Sequence, residues 1–410
     1  MEKNDAKATD MNTAIRDTPK PANVFLERTT LDTLFRVPPR ALIADDQPDV
    51  LEALRLLLKG EGYQTELVTS PHAVVESLKA RNFDLLLMDL NYARDTTSGQ
   101  EGLDLLSEVQ AIDTTLPIVV MTAWSTVPLA VEAMRRGVRD FVQKPWENDQ
   151  LLETLRTHIE RARGERQRLQ NEKLEIEDAR DIERRLLPDE IPQVPGFEIA
   201  CAWQPASAVG GDYFDVLKFG ERRAGLCIAD VMGKGVPAAL LMSNLQATVR
   251  ATGTETIQPG LLVARLNEIA SGNLATGKFI TLFYAMLDAE GKRLTYTNAG
   301  HNAPILMRRD GSHLRLDQGG AALGVVADGN YDQGEIDLRS GDRLLLYTDG
   351  VTEAVSPIGE EYGEQRLLSL LKENLAKSAH ELQTKIMDAV NNFSGGTLQD
   401  DATLIVVAAK

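Results

Sequence analysis

The sequence predicts an α/β unit doubly wound about a five-stranded parallel sheet, then a helical linker, then an α+β unit of mostly antiparallel strands. Three observations carry this. Up to Trp146, apolar runs of strand length alternate with helical patterns. From Glu147 to Leu187, Gly164 is the lone glycine and proline does not occur. Beyond Val194, strand-like runs are joined by glycine-rich turns. Alternation of helices with apolar strands is the pattern of a parallel sheet covered on both faces. The expected boundaries are a tail over 1–37, the α/β unit over 38–150, the linker over 151–190 and the α+β unit over 191–410.

The tail is polar at first and then weakly amphipathic through Val24, Phe25, Leu26, Leu31, Leu34 and Phe35. The strands of the first unit are Ala41–Ala44, Thr65–Val68, Asp84–Met88, Ile118–Met121 and Asp140–Val142. Between them lie helical stretches such as Val50–Lys59, with Leu51, Leu54 and Leu58 on one face. In the linker, Leu155, Ala162, Leu169 and Ile176 recur every seven residues, with Leu152 and Ile159 at the companion position. That seam turns polar at Arg166 and Lys173. Such a partial heptad suits a parallel coiled coil between two copies, or equally a solvated connecting helix. Pro188 and Pro192 end it. In the third unit, strands are expected at Gly225–Ala229, Phe279–Leu287, Arg293–Asn298, Arg343–Tyr347 and Thr403–Val407. Helices are expected at Pro237–Arg250, Gly260–Ile269 and Leu382–Phe393.

At 410 residues the chain is long for one core, and two domains with connections are the natural expectation. A net charge of -17 argues against an electrostatic grip on nucleic acid or anionic membrane. No apolar stretch reaches the ~18 residues of a spanning helix, and the first residues lack the apolar core of a secretory signal. Cys201 and Cys227 are the only cysteines and have no metal-ligand spacing, which fits a reducing cytoplasm.

Two sets of aspartates carry the chemistry. Asp45 and Asp46 follow the first strand, Asp89 the third, and Lys144 the fifth, while Thr122 closes the fourth. The carboxyl ends of strands in a doubly wound sheet form the ligand crevice, so these side chains converge on one edge. Clustered carboxylates call for a cation, and a hard Mg²⁺ meets that need. Asp89 then suits a nucleophile, Lys144 a fixed counter-charge and Thr122 a hydroxyl donor to phosphoryl oxygens. These residues resemble the receiver domain of two-component response regulators. The resemblance implies phosphotransfer to Asp89 from a sensor histidine kinase, a metal contact from the Asn91 carbonyl, and switch positions at Thr122 and Phe141. The segment Asn91–Glu101 is longer than the family's pattern and lacks its usual proline.

The second set is Asp212 in Gly210-Gly211-Asp212, Asp230 in Ala229-Asp230-Val231-Met232-Gly233, Asp349 in Thr348-Asp349-Gly350, and Asp400-Asp401 before Ala402-Thr403. Each alone reads as a turn. Four together, with no histidine or cysteine at ligand spacing, form an all-oxygen site that selects Mg²⁺ or Mn²⁺. Two such ions ~3.5–4 Å apart can activate a water and clamp a phosphoryl oxygen. The motifs resemble the PPM family of metal-dependent Ser/Thr protein phosphatases, in its bacterial SpoIIE-like branch, over roughly residues 180–410. Ala179 to Pro188 resembles that branch's lead-in helix, and Asn298-Ala299-Gly300-His301-Asn302 its central motif. The resemblance implies an α-β-β-α sandwich with two metal ions between the sheets. Asp230 would bridge both ions, with a carbonyl contact from Val231. Asp349 and Asp400 would bind one ion and Asp212 the other, with Asp401 as a neighbour. His301 is expected to make structural hydrogen bonds.

Two near-misses fall away. Gly272–Lys278 resembles a phosphate-binding loop, but Phe279 replaces the hydroxyl and the helix precedes the strand. Gly210–Phe214 resembles a diguanylate cyclase signature, but Tyr213 replaces its acidic residue. The reading is a cytoplasmic response regulator with a phosphatase output acting on a phosphoprotein such as an anti-sigma-factor antagonist. It would work as a homodimer, with no nucleic-acid or membrane partner. The alternative is a catalytically weak phosphatase fold that sequesters a partner.

Overall fold

The structure is a computed structural model describing residues 37–91, 100–122 and 127–410. The tail stretch from Val24 to Phe35 and most of the Asn91–Glu101 loop lie outside the described residues. The chain divides into two compact units, up to Gln170 and from Asn171 onward.

In the first unit, strands β1 (Arg40–Ala44), β2 (Gln64–Val68), β3 (Leu85–Asp89), β4 (Ile118–Thr122) and β5 (Val138–Gln143) form one parallel sheet in the order β2-β1-β3-β4-β5. The helices α1 (Pro48–Gly60), α2 (Pro71–Ala80), α3 (Gln100–Ile112) and α4 (Val127–Arg135) connect them. Alternate strand residues face opposite ways, and here both faces are buried. Ala41, Ile43, Leu85, Leu87, Val119 and Met121 pack into one core with Leu51, Leu54 and Leu58 of α1. Leu42, Ala44, Leu86, Met88, Ile118 and Val120 pack into the other with α2 and α3. This is the doubly wound sheet expected, with its strands at the expected places.

The long helix α5 runs from Asn148 to Leu186. Its first half corrects the coiled-coil reading. Leu151, Leu152, Leu155 and Ile159 belong to the same core as α1, and Ala162 is buried too. Arg163 pairs with Asp84 at 2.9 Å, and Arg166 with Asp113 at 2.7 Å. The heptad positions up to Ala162 are therefore apolar because they complete the first unit, and Arg166 is an ion-pair partner there rather than a polar seam position. A lysine at Leu155 would open this core instead of parting a dimer. Leu169 and Ile176 remain exposed.

The second unit is a sandwich of two sheets. In spatial order, one runs through β13 (Gly319–Gly320), β10 (Arg293–Ala299), β9 (Ile280–Asp288), β8 (Arg223–Val231) and β7 (Tyr213–Phe219), with β14 (Gly334–Asp337) beside β10. The other runs through β12 (His313–Arg315), β11 (Ile305–Met307), β15 (Arg343–Tyr347), β16 (Ala402–Ala409) and β6 (Phe197–Gln204). Helices α6 (Val236–Thr252) and α7 (Pro259–Asn273) cover the first sheet, and α9 (Gly363–Glu373) and α10 (Ala379–Ser394) the second. The period of two shows in β15 and β16. Leu344, Leu346, Ile405 and Val407 face the core between the sheets, while Leu345, Leu404 and Val406 face α9 and α10. Among the described residues, no helix is long and apolar enough to cross a membrane.

Candidate functional site

At the carboxyl edge of the parallel sheet, the structure joins side chains far apart in sequence. Lys144 Nζ donates to Asp45 Oδ2 and to Asp89 Oδ2, each at 2.6 Å. Asp45 is fully buried and Asp89 nearly so. Burial works against the lysine's charge, but the bonds to Asp45 and Asp89 outweigh it and hold its pKa above the ordinary value. Backbone amides secure both carboxylates. Gln47 N–H donates to Asp45 Oδ1 at 2.9 Å, and Asn91 N–H to Asp89 Oδ1 at 3.1 Å. Thr122 is buried at the end of β4, and its carbonyl accepts from Lys144 N–H at 2.9 Å. Asp46 is half-buried and lines a cleft with Ser70, His72, Glu101 and Asp104. The arrangement offers a carboxylate with an adjacent fixed cation, which is what an acceptor of phosphoryl groups needs.

In the second unit, Asp212, Asp230, Asp349 and Asp400 come to the same end of the sandwich from four segments. Asp230 is the penultimate residue of β8, Asp349 opens the short helix α8 (Asp349–Thr352) after β15, Asp400 precedes β16 and Asp212 precedes β7. Burial pushes the Asp230 carboxyl up to about 7, with the charges of Asp349, Asp400 and Asp401 adding to the rise. Burial, and then Asp400, raise Asp349 as well. Asp212 is raised well above the carboxylate range by complete burial and by Asp230.

Sequence reasoning missed how Asp212 is held. Thr348 Oγ1 donates to its Oδ2 at 2.8 Å, and the Thr403 hydroxyl donates to the same oxygen. The threonines of Thr348-Asp349 and Ala402-Thr403 were the available signal. Asp401 also has a role the sequence left open. Its Oδ1 accepts from Ala206 N–H at 2.8 Å and its Oδ2 from Gly211 N–H at 2.9 Å. The two acidic loops meet closely, since a Cβ on Gly350 would lie 2.1 Å from the Asp401 carbonyl oxygen. The Val231 carbonyl faces Gly211, where a Cβ would approach it to 2.9 Å. His301 is buried, with Nδ1 2.8 Å from Thr281 Oγ1, and burial lowers its pKa to about 4. It is thus neutral near pH 7, and its Nε2 is buried without a hydrogen-bond partner.

Among the described residues, no three carboxylates, imidazoles or thiolates stand close enough to grip one ion as they are. Asp400 instead pairs with Lys234 at 3.1 Å. The donor set nonetheless fits a hard divalent cation. Its groups are oxygens, burial and then mutual charge raise the pKa values of Asp212, Asp230 and Asp349, and an ammonium already leans on Asp400.

The fold and these two centres define a class: a response regulator whose output domain is a metal-dependent phosphatase. Residues 41–156 match the response regulator receiver domain family, and residues 220–410 match the family described as Stage II sporulation protein E (SpoIIE). Phosphoserine phosphatase RsbU of Bacillus subtilis (strain 168) is 34% identical over 239 residues, covering 58% of this chain and 71% of that protein. Transcriptional regulatory protein ZraR of Salmonella typhimurium is 37% identical over 114 residues, 28% of this chain and 25% of that protein. The solved SiaA-PP2C domain of Pseudomonas aeruginosa shares the fold, with a TM-score of 0.50 at 20% identity over 59% of this chain and 98% of that one. The chain belongs to the SpoIIE-type family of metal-dependent serine/threonine protein phosphatases and carries a receiver domain ahead of the phosphatase.

Proposed function

We propose that Asp89 accepts a phosphoryl group from a sensor histidine kinase and that this controls hydrolysis of phosphoserine or phosphothreonine on a protein in the cytoplasm. The single observation that carries the catalytic half is the gathering of Asp212, Asp230, Asp349 and Asp400 at one end of the sandwich, where burial first and the neighbouring carboxylates next push Asp230 up to about 7. Such mutual repulsion favours divalent cations over protons near neutral pH.

In the receiver, Asp45, Asp46, Asp89 and the Asn91 carbonyl would hold one Mg²⁺. One Asp89 oxygen would attack the phosphorus as the P–N bond to the kinase's phosphohistidine breaks and its imidazole leaves, while Lys144 offsets the incoming charge and the Thr122 hydroxyl donates to a phosphoryl oxygen. In the phosphatase, Asp212, Asp230, Asp349, Asp400 and the Val231 carbonyl would hold two Mg²⁺ or Mn²⁺. Bound there, the ions supply a water of lowered pKa and a positive clamp on the phosphoryl group. Thr348 and Thr403 fix the orientation of Asp212, and Asp401 fixes the backbone ahead of it. Lys234, which pairs with Asp400 at 3.1 Å, would have to yield that carboxylate to an ion. The resemblance of its motifs to the SpoIIE-like branch would make the substrate a phosphoprotein such as an anti-sigma-factor antagonist. The exposed half of α5, with Leu169 and Ile176, would pair two copies. A partner-gripping fold without turnover is disfavoured because each metal-holding position keeps its aspartate.

The test is turnover of a phosphoserine peptide with Mn²⁺ and with chelator, before and after treatment with a small acyl phosphate. Turnover should require the metal, respond to the phosphodonor in wild type and lose that response in Asp89→Asn. Metal-independent turnover would overturn the catalytic reading, and an unchanged response in Asp89→Asn would move the acceptor elsewhere.

A further inference from the structure

One buried carboxyl has no part in the chemistry above. Glu183 lies in the last turn of α5 and is only 2% exposed. Its Oε1 accepts from Gly210 N–H at 2.8 Å, while its Oε2 is buried without a hydrogen-bond partner. Burying a carboxyl half-satisfied is costly, so it is retained for what it holds.

What it holds is the backbone leading to Asp212. From the opposite side, Asp401 takes the amides of Ala206 and Gly211. Two carboxyls from distant segments therefore grip three amides of the segment 206–211, directly ahead of Asp212. No side chain fits between, since a Cβ on Gly210 would lie 1.9 Å from Asp401 Oδ2. Burial pushes the Glu183 carboxyl up to about 7 against the pull of the Gly210 amide; Asp401 adds to the rise and Arg180 opposes it. The helix that ends at Glu183 and Leu186 also buries Leu151, Leu155 and Ile159 in the receiver's core.

We propose that Glu183 is a positioning residue of the phosphatase site, through which the last turn of α5 sets the place of Asp212 at the metal centre. This rests on the metal-centre reading above. Its test is calorimetric titration of Mn²⁺ into the metal-stripped full chain, as wild type at position 183, Glu183→Gln and Glu183→Met, each carrying Asp46→Asn so that the receiver's own ion site does not contribute. Glutamine keeps an acceptor for Gly210 and should bind within about threefold of wild type. Methionine keeps length and helix propensity but leaves that amide unsatisfied, and should weaken binding by about tenfold or more. Absence of Mn²⁺ binding in wild type would sink the metal-centre reading itself. Binding by wild type and equally by Glu183→Met would overturn the role of Glu183, as would a glutamine variant as weak as the methionine one. Should Glu183→Met not fold, hydrogen exchange at the Gly210 amide of wild type decides. Protection is expected, and exchange at the rate of a free amide overturns the proposal.

Discussion

The two carboxylate centres of this chain differ in where their counter-charge comes from. In the receiver, Lys144 is part of the fold: its side chain is 14% exposed and sits 2.6 Å from both Asp45 and Asp89. In the phosphatase, the lysine that pairs with a site aspartate is Lys234, which is 56% exposed, lies 3.1 Å from Asp400 and also donates to the Gln399 carbonyl. Its charge also acts on Asp230 and Asp349, but only as the weakest influence beside burial and the neighbouring carboxylates, and Asp212 faces Asp230 and Asp401 with hydroxyl donors alone. An internal cation leaves an aspartate ionised and orientated, ready to act as a nucleophile. A cluster without one is an incomplete site that takes its positive charge from solution. The same residue type thus serves covalent chemistry in one unit and ion binding in the other, and the neighbours decide which.

The largest effect that would break this contrast is at the metal centre. Asp349→Asn should lower turnover of a phosphoserine peptide at least ~10³-fold, since a metal supplies several kcal/mol of transition-state charge stabilisation. Labelling of Asp89 by a phosphodonor should be unaffected. Full turnover in this variant would mean that the cluster is not the ion site.

The second effect compares the lysines. Lys144→Met leaves two buried carboxylates facing each other and should destabilise the receiver by roughly 2–3 kcal/mol in chelator, with part recovered by Mg²⁺. Lys234→Met removes only an exposed contact and should change stability by less than ~0.5 kcal/mol. Equal losses in denaturant melts would erase the distinction between a built-in and a borrowed cation.

The third concerns pH. The Asp230 and Glu183 carboxyls are each pushed up to about 7 in the folded chain, against roughly 4 when unfolded. Across that window the folded state binds more protons. Their contribution to stability is therefore full at low pH and lost as pH rises through about 7. In chelator the phosphatase melt should fall between about pH 5 and pH 8. With Mn²⁺ the fall should vanish or reverse, because ions displace the protons. A flat profile in chelator would place these carboxyls in the ordinary range.

Much of this was legible in the sequence because strands buried on both faces read as unbroken apolar runs, as in Leu85–Met88 and Ile118–Met121. The aspartates could be read because each sits where a strand or turn ends. What escaped was whatever depends on a partner distant in the chain. Thr348 and Thr403 gain meaning only when β15 and β16 pair and bring both hydroxyls to Asp212. Glu183 looked like one more charge on a polar helix until Gly210 met it. The heptad misled for the same reason. Leu152, Leu155 and Ile159 repeat at a spacing that suits a second helix, yet they pack on the receiver's own sheet. Periodicity shows which face of a helix is buried, not what buries it.

The smallest effect separates the two halves of that helix. Leu169 is 44% exposed and Ile176 is 40% exposed, beyond the stretch that packs on the receiver. Leu169→Lys should therefore change the stability of either unit by less than ~0.5 kcal/mol. If this half pairs two copies, the cost of a lysine in an apolar seam appears only in association, as a shift toward monomer in sedimentation at low micromolar chain. The phosphodonor response should then weaken in step with the dimer, while metal-dependent basal turnover persists. A variant that remains as associated as wild type would leave Leu169 and Ile176 as solvated positions. The signal from Asp89 would then pass along a single chain, through the helix that ends at Glu183.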